Sequence, residues 1–238
     1  MSNPVFCALD TTDTQAALGL ARQLRGLVGG LKVGLEFHTA NGPDGVRAIA
    51  EAGLPIFLDL KFHDIPNTVA GAVRSAVRLA PALTTLHAIG GAEMMKAAVD
   101  AAGDEAAKCG VARPKLLAVT VLTSMGPAEL PSIGVHDTVL DQVKRLASLA
   151  QEAGVDGIVC SPHEVEHLRA LLGPEITLVI PGIRPAWAAA NDQKRILTPA
   201  EAIKKGADIL VIGRPITADA DPAAAARRIN DELSEAKA

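Results

Sequence analysis

The chain has 238 residues, a formal charge of −4 and 49% hydrophobic residues, a length at which an α/β barrel can form around one core without splitting. No apolar run approaches the roughly 20 residues needed to cross a bilayer, and no basic segment precedes an apolar signal core. A cytoplasmic protein without membrane contact is therefore expected. The absence of basic runs, with one Trp and no Tyr, supports neither duplex binding nor base stacking, so no nucleic-acid partner is expected. Cys7, Cys109 and Cys160 are odd in number and widely spaced, which argues against a disulfide framework or a zinc cluster; they read as inert core residues.

Short runs rich in Val, Ile and Leu alternate with Ala-rich helical patterns along the whole chain. Strands are predicted at Val5 to Asp10, Leu31 to Leu35, Pro55 to Leu60, Leu83 to Ala88, Lys115 to Leu122, Asp156 to Cys160, Thr177 to Ile180 and Asp208 to Ile212. Helices are predicted at Thr14 to Leu27, Gly42 to Ala52, Thr68 to Leu79, Ala92 to Ala107, Asp137 to Ala153, Pro162 to Leu172, Pro199 to Lys205 and Pro222 to Glu235. Ala-Gly and Gly-Ala pairs before strands, as at Ala52-Gly53 and Gly206-Ala207, fit helix C-caps. Strand-helix alternation without a linker predicts an α/β fold, a single (β/α)8 barrel domain covering residues 1–238. The longest irregular stretch, Pro181 to Leu197, exceeds the usual connection and suits a lid.

The third strand runs on into an array of charges, Asp59-Leu-Lys61-Phe-His-Asp64. Two-residue periodicity sends Leu58, Leu60 and Phe62 to the helical layer, and Asp59 and Lys61 to the barrel axis. Buried unpaired charges cost several kcal/mol, so such an array persists as a compensated ion pair or for chemistry. Asp10, Lys32, Asp59, Lys61, Thr123 and Ser124 lie at or near C-terminal strand ends, where barrel active sites form. The loops after strands seven and eight read Pro181-Gly-Ile-Arg184 and Gly213-Arg-Pro215, a pattern suited to phosphate, because glycine lets backbone N–H groups approach an oxyanion while arginine supplies a charged fork. Carboxylates near Lys61 favour its charged form, which suits proton donation or anion stabilisation and disfavours Schiff-base chemistry. His163-Glu-Val-Glu-His167 matches H-E-x-x-H, but with no evident third ligand its acids are better read as complements to a helix dipole. His63 reads as a packed residue without a chemical step.

The run Asp59-Leu-Lys-Phe-His-Asp-Ile-Pro-Asn-Thr68 resembles the signature of the orotidine 5'-monophosphate decarboxylase family. Ala8-Leu-Asp10, Lys32-Val-Gly34, His87-Ala88 with Gly90-Gly91, Val119-Thr-Val-Leu-Thr-Ser124, Pro181-Gly-Ile-Arg184 and Val211-Ile-Gly-Arg-Pro215 follow in the family's order. Ile89 departs from it, standing where a small polar residue is usual. The resemblance implies decarboxylation of orotidine 5'-monophosphate (OMP) to UMP and carbon dioxide, closing de novo pyrimidine synthesis, with neither metal nor cofactor. It implies that Lys61 delivers a proton to C6, that Asp59 faces the departing carboxylate, and that Lys32 and Asp64 complete an alternating charge network. Asp10 and Lys32 would hold the ribose, Thr123 and Ser124 the pyrimidine, and Arg184, Gln193, Gly213 and Arg214 the phosphate, with Pro181 in the same wall. Asp64, Ile65 and Thr68 would reach a neighbouring subunit's site, which implies a homodimer with shared sites. Two rivals remain: a magnesium-dependent 3-keto-gulonate 6-phosphate decarboxylase of the same superfamily, which shares Asp-x-Lys-x-x-Asp, and a noncatalytic nucleotide-binding barrel.

Overall fold

A computed structural model describes residues 3–188 and 197–235. Eight parallel strands close a barrel in sequence order: β1 (Val5–Ala8), β2 (Gly30–Gly34), β3 (Ile56–Phe62), β4 (Leu83–His87), β5 (Lys115–Val119), β6 (Gly157–Val159), β7 (Thr177–Ile180) and β8 (Ile209–Ile212). Around it run α1 (Thr14–Leu24), α2 (Leu35–Ala50), α3 (Pro66–Val77), α4 (Ala92–Cys109), α5 (Val139–Glu152), α6 (Val165–Leu172) and α7 (Pro199–Lys204), followed by α8 (Arg214–Thr217) and α9 (Pro222–Glu235). The expected (β/α)8 barrel is the observed fold. Among the described residues no helix is long and apolar enough to cross a membrane.

Side-chain alternation builds the barrel in layers. Outward positions such as Val5, Cys7, Leu31, Val33, Ile56 and Leu58 join the helices in one buried apolar shell. Inward, Phe6, Phe57, Leu83, Leu117, Val179 and Val211 form a separate cluster that fills the lower barrel. Phe6 and Phe57 meet edge to face, ring centroids 6.4 Å apart, a favoured aromatic geometry. Gly30 makes room for this plug, since a Cβ there would lie 2.2 Å from the Phe6 ring. Continuing each inward row toward the C-terminal ends replaces apolar groups by polar ones: Phe6, Ala8, Asp10; Gly30, Lys32, Gly34; Phe57, Asp59, Lys61; Leu83, Thr85, His87.

Several boundaries differ from the expected ones. β3 extends to Phe62 because Phe62 rejoins β4 opposite Leu86 after a bulge that follows Leu58. β5 stops at Val119, so Thr120 to Leu122 belong to the connection. Helix α2 starts at Leu35, seven residues before the expected Gly42, and kinks at Gly42 with φ 61°. Pro43 starts the second straight run there, as its missing N–H permits, and that signal hid the earlier turns. The short α8 was not expected. Cys7 and Cys160 are buried, but Cys109 is exposed at the end of α4; the core reading fails for it because its place in the last helical turn faces outward.

Candidate active site

Four charged side chains form a chain of alternating sign across the barrel mouth. The Lys32 Nζ lies 3.1 Å from Asp10 Oδ1 and 3.8 Å from Asp59 Oδ2. Lys61 Nζ donates to the same Asp59 Oδ2 at 2.8 Å. Gly34 helps to house the Lys32 ammonium, because a Cβ there would sit 3.1 Å from Nζ. Lys32 and Asp59 are the recessed members, with side chains 12% and 13% exposed, whereas Asp10 is 61% exposed. Neighbouring charges at such spacing interact by about 4 kcal/mol at an effective dielectric of 20, so the arrangement is mutually compensated before any ligand enters.

Local backbone geometry sets this pairing. Lys61 has φ 51°, a left-handed conformation that costs a side-chain-bearing residue about 1–2 kcal/mol. Its backbone N–H donates to Thr85 Oγ1 at 2.9 Å, and that hydroxyl donates to Asp59 Oδ1 at 2.8 Å. Sequence reasoning passed over Thr85. The available signal was a pair of threonines within an otherwise apolar strand, but its meaning depends on which β3 residue stands opposite.

Two adjoining cavities mark the mouth. One of about 170 Å³ is lined by Lys32, Asp59, Lys61, Thr123, Pro181 and Val211. The other, about 380 Å³, is lined by Thr123, Ser124, Ser161, Glu164, Pro181 and Gly182 among others. Their common walls at Thr123 and Pro181 make them parts of one opening, whose floor includes Phe57 from the apolar plug. Ser161 was also missed, and Glu164, expected only as an acid complementing a helix dipole, is buried beside the cavity at the start of α6 with its Oε2 accepting the Ser161 backbone N–H at 2.7 Å.

The other expected site residues divide into groups. Gly213 comes to the mouth, since a Cβ on it would be 3.7 Å from Asp10 Oδ2. Arg214 is exposed at the start of α8, whereas Arg184 is buried. The Arg184 backbone N–H donates to Leu197 O at 3.0 Å, drawing together the two ends of the long connection after β7. Gln193, Lys194 and Arg195 lie outside the described residues. Asp64 does not join this charge chain: it is exposed, and its Oδ1 accepts the Ile65 N–H at 2.6 Å. Ile65 and Thr68 are exposed beside it.

His63 is exposed rather than packed as expected, because the chain leaves the barrel at this point, and its ring contacts that of His87 with centroids 5.6 Å apart. Burial, then His63 and Lys61, hold the His87 imidazole below the usual histidine range against the opposing pull of Asp59. The H-E-x-x-H match does not lie on one helix: α6 begins at Val165, beyond His163. Glu166 instead pairs with Lys205 at 2.8 Å, and no cluster of three or more metal-ligating His, Cys, Asp or Glu occurs among the described residues.

Fold and site together define a barrel enzyme whose reactive charges project from the C-terminal strand ends. The orotidine 5'-phosphate decarboxylase / HUMPS family model matches residues 3–229, and the chain belongs to that family. An orotidine 5'-phosphate decarboxylase of Paramagnetospirillum magneticum is 64% identical over 98% of this chain and 99% of its own length. That of Rhodospirillum rubrum is 58% identical over 97% and 94% respectively. The crystal structure of orotidine 5'-phosphate decarboxylase from Lactobacillus acidophilus superposes with TM-score 0.83 at 37% identity, covering 98% of this chain and 99% of that one.

Proposed function

We infer that this protein decarboxylates orotidine 5'-monophosphate to UMP and carbon dioxide, the last step of de novo pyrimidine biosynthesis. The observation that carries the reading is the Asp10, Lys32, Asp59, Lys61 chain at the barrel mouth in a chain 64% identical to a relative of that name. That relationship favours the nucleotide over a keto-sugar phosphate acid, although the magnesium-dependent rival shares the Asp-x-Lys-x-x-Asp pattern.

In this reading the substrate carboxylate lies against Asp59, where two like charges about 4 Å apart repel by roughly 4 kcal/mol at an effective dielectric of 20. Repulsion alone cannot supply the rate, because only interactions that strengthen in the transition state lower the chemical barrier. As the C6–carboxyl bond breaks, its electron pair stays on C6 and carbon dioxide leaves. The Lys61 ammonium stabilises the developing carbanion and transfers a proton to C6, and solvent restores that proton after release. Lys32 holds Asp59 from the other side and, with Asp10, binds the ribose hydroxyls. Thr123 and Ser124 face the pyrimidine and Pro181 packs beside it. Arg184, Gln193, Gly213 and Arg214 receive the phosphate, whose binding energy supports the reaction at the distant ring.

The active unit in this reading is a cytoplasmic homodimer, with Asp64, Ile65 and Thr68 entering the partner's site. Support comes from Ile65, Leu35 and Ile89, which are 67%, 54% and 49% exposed and follow the C-terminal ends of the adjacent strands β3, β2 and β4. Exposed apolar groups at the ends of neighbouring strands favour a partner surface. Free cysteines suit a reducing compartment. Mixing an inactive Lys61 variant with an inactive Asp64 variant restores turnover in hybrid dimers if sites are shared; no recovery despite proven subunit exchange means that each site is self-contained.

The test of the reaction is ultraviolet absorbance of orotidine 5'-monophosphate with purified protein in excess EDTA, with the product identified by mass. Formation of UMP supports the reading and independence from added metal. Folded protein that leaves the nucleotide unchanged but acts on a keto-sugar phosphate acid with magnesium overturns it.

A further inference from the structure

We propose that Thr85 is a positioning residue for this decarboxylation, setting Asp59 and Lys61 relative to one another through a single hydroxyl. The proposal rests on the functional reading above and adds a residue that touches neither substrate nor reacting atom.

Thr85 is fully buried on β4, and its Oγ1 carries two bonds of opposite sense. It accepts the Lys61 backbone N–H at 2.9 Å and donates to Asp59 Oδ1 at 2.8 Å. An amide N–H only donates and an ionised carboxylate only accepts, so the linking group must do both, as a hydroxyl does. The bond to Lys61 falls within the irregular part of the sheet. Leu58 pairs with Thr84 and Phe62 with Leu86, so β3 passes four residues where β4 passes two. Because the excess is even, side-chain alternation is preserved and both Asp59 and Lys61 still face the axis. Within this bulge Lys61 takes its left-handed φ of 51°, and its N–H finds the Thr85 side chain.

The second bond fixes the Asp59 carboxylate in rotation. With Oδ1 held by Thr85, Oδ2 is the oxygen turned to Lys61 Nζ at 2.8 Å and Lys32 Nζ at 3.8 Å. Thr85 therefore holds the backbone of the proton donor and the side chain of its counter-ion at once. Without the hydroxyl, both the bulge and the carboxylate can turn, and displacements near 1 Å at such a centre can cost about 10²-fold in rate.

Two variants separate the hydroxyl from the packing: Thr85→Val keeps the shape, and Thr85→Ser keeps the hydroxyl. The expected result is a kcat lower by about 10²-fold in T85V and within about tenfold of the parent in T85S. UMP affinity, which reports ribose, phosphate and ring contacts without the reacting carboxylate, should stay within about threefold in both. If T85V does not fold, folded T85S must still turn over within that tenfold limit. The proposal is overturned by parental kcat in T85V, by loss of turnover in folded T85S, or by UMP affinity falling in step with kcat. Parental protein that fails to convert OMP overturns the functional reading and this proposal together, whereas an active parent with equally active T85V overturns the role of Thr85 alone.

Discussion

The two ends of the barrel use the same residue types in opposite ways. At the N-terminal end, Asp156 precedes β6 and accepts the Leu116 N–H of β5 at 2.7 Å while pairing with Arg113 at 2.8 Å. Asp208 precedes β8 and repeats the device, accepting the Leu178 N–H of β7 at 2.7 Å and pairing with Arg169 at 2.5 Å. Each carboxylate there has its own guanidinium and a backbone donor from the adjacent strand, which closes the sheet. At the mouth, one Asp59 oxygen is shared by two lysines, one of them on strained backbone. The difference teaches that charge in a barrel stabilises where each group is satisfied locally, and serves chemistry where an incoming ligand can change the balance.

The strongest way to break this comparison is to remove the proton donor. Lys61→Ala is expected to lower turnover by about 10⁴-fold or more, combining loss of a general acid with loss of transition-state charge stabilisation. Product binding should remain largely intact, as measured by absorbance assay and UMP titration; unimpaired turnover rules out the role assigned to Lys61. Asp208→Ala should do the reverse. It leaves turnover within about twofold and lowers unfolding free energy by about 1–2 kcal/mol, because the Leu178 N–H and Arg169 lose a partner; an unchanged urea midpoint would contradict the stabilising role of that end.

A finer test asks whether the mouth stores backbone strain. Lys61→Gly should be as inactive as Lys61→Ala but about 0.5–1 kcal/mol more stable in urea, since glycine adopts positive φ without the Cβ penalty, less its greater freedom when unfolded. Equal midpoints would remove strain from the account. The smallest expected effect concerns pH. His87 titrates below its usual value in the folded chain, so below about pH 6.5 the unfolded chain takes up a proton that the folded chain resists. Stability from this residue is fully present above that value and is lost as pH falls toward the depressed folded value. His87→Asn should therefore flatten the fall in urea midpoint between about pH 7 and pH 5; parallel curves would show that His87 does not contribute.

Much of this organisation was legible in the chain. Apolar runs at barrel spacing implied eight strands, and alternation alone placed Asp59 and Lys61 inward, because the period of two is a property of one strand. Asp10 and Lys32 could be joined to them because all lie toward C-terminal strand ends. The bulge was not legible, since β3 gains residues only relative to β4, and Leu58 and Phe62 reveal this only beside Thr84 and Leu86. Thr85 was missed for the same reason. Asp64 was joined to the network through the family resemblance, as a residue reaching a neighbouring subunit's site; the chain turns outward there into α3 and exposes it, which residue pattern alone does not reveal. Cys109 looked like its two buried counterparts because composition does not tell which side of a helix end meets solvent. Sequence by itself thus determined the family, the barrel and the residues that bear charge, all of which depend on local pattern and identity. Only tertiary structure decided which oxygen of Asp59 meets which lysine and which hydroxyl holds them, because those distances arise from register between strands far apart in the chain.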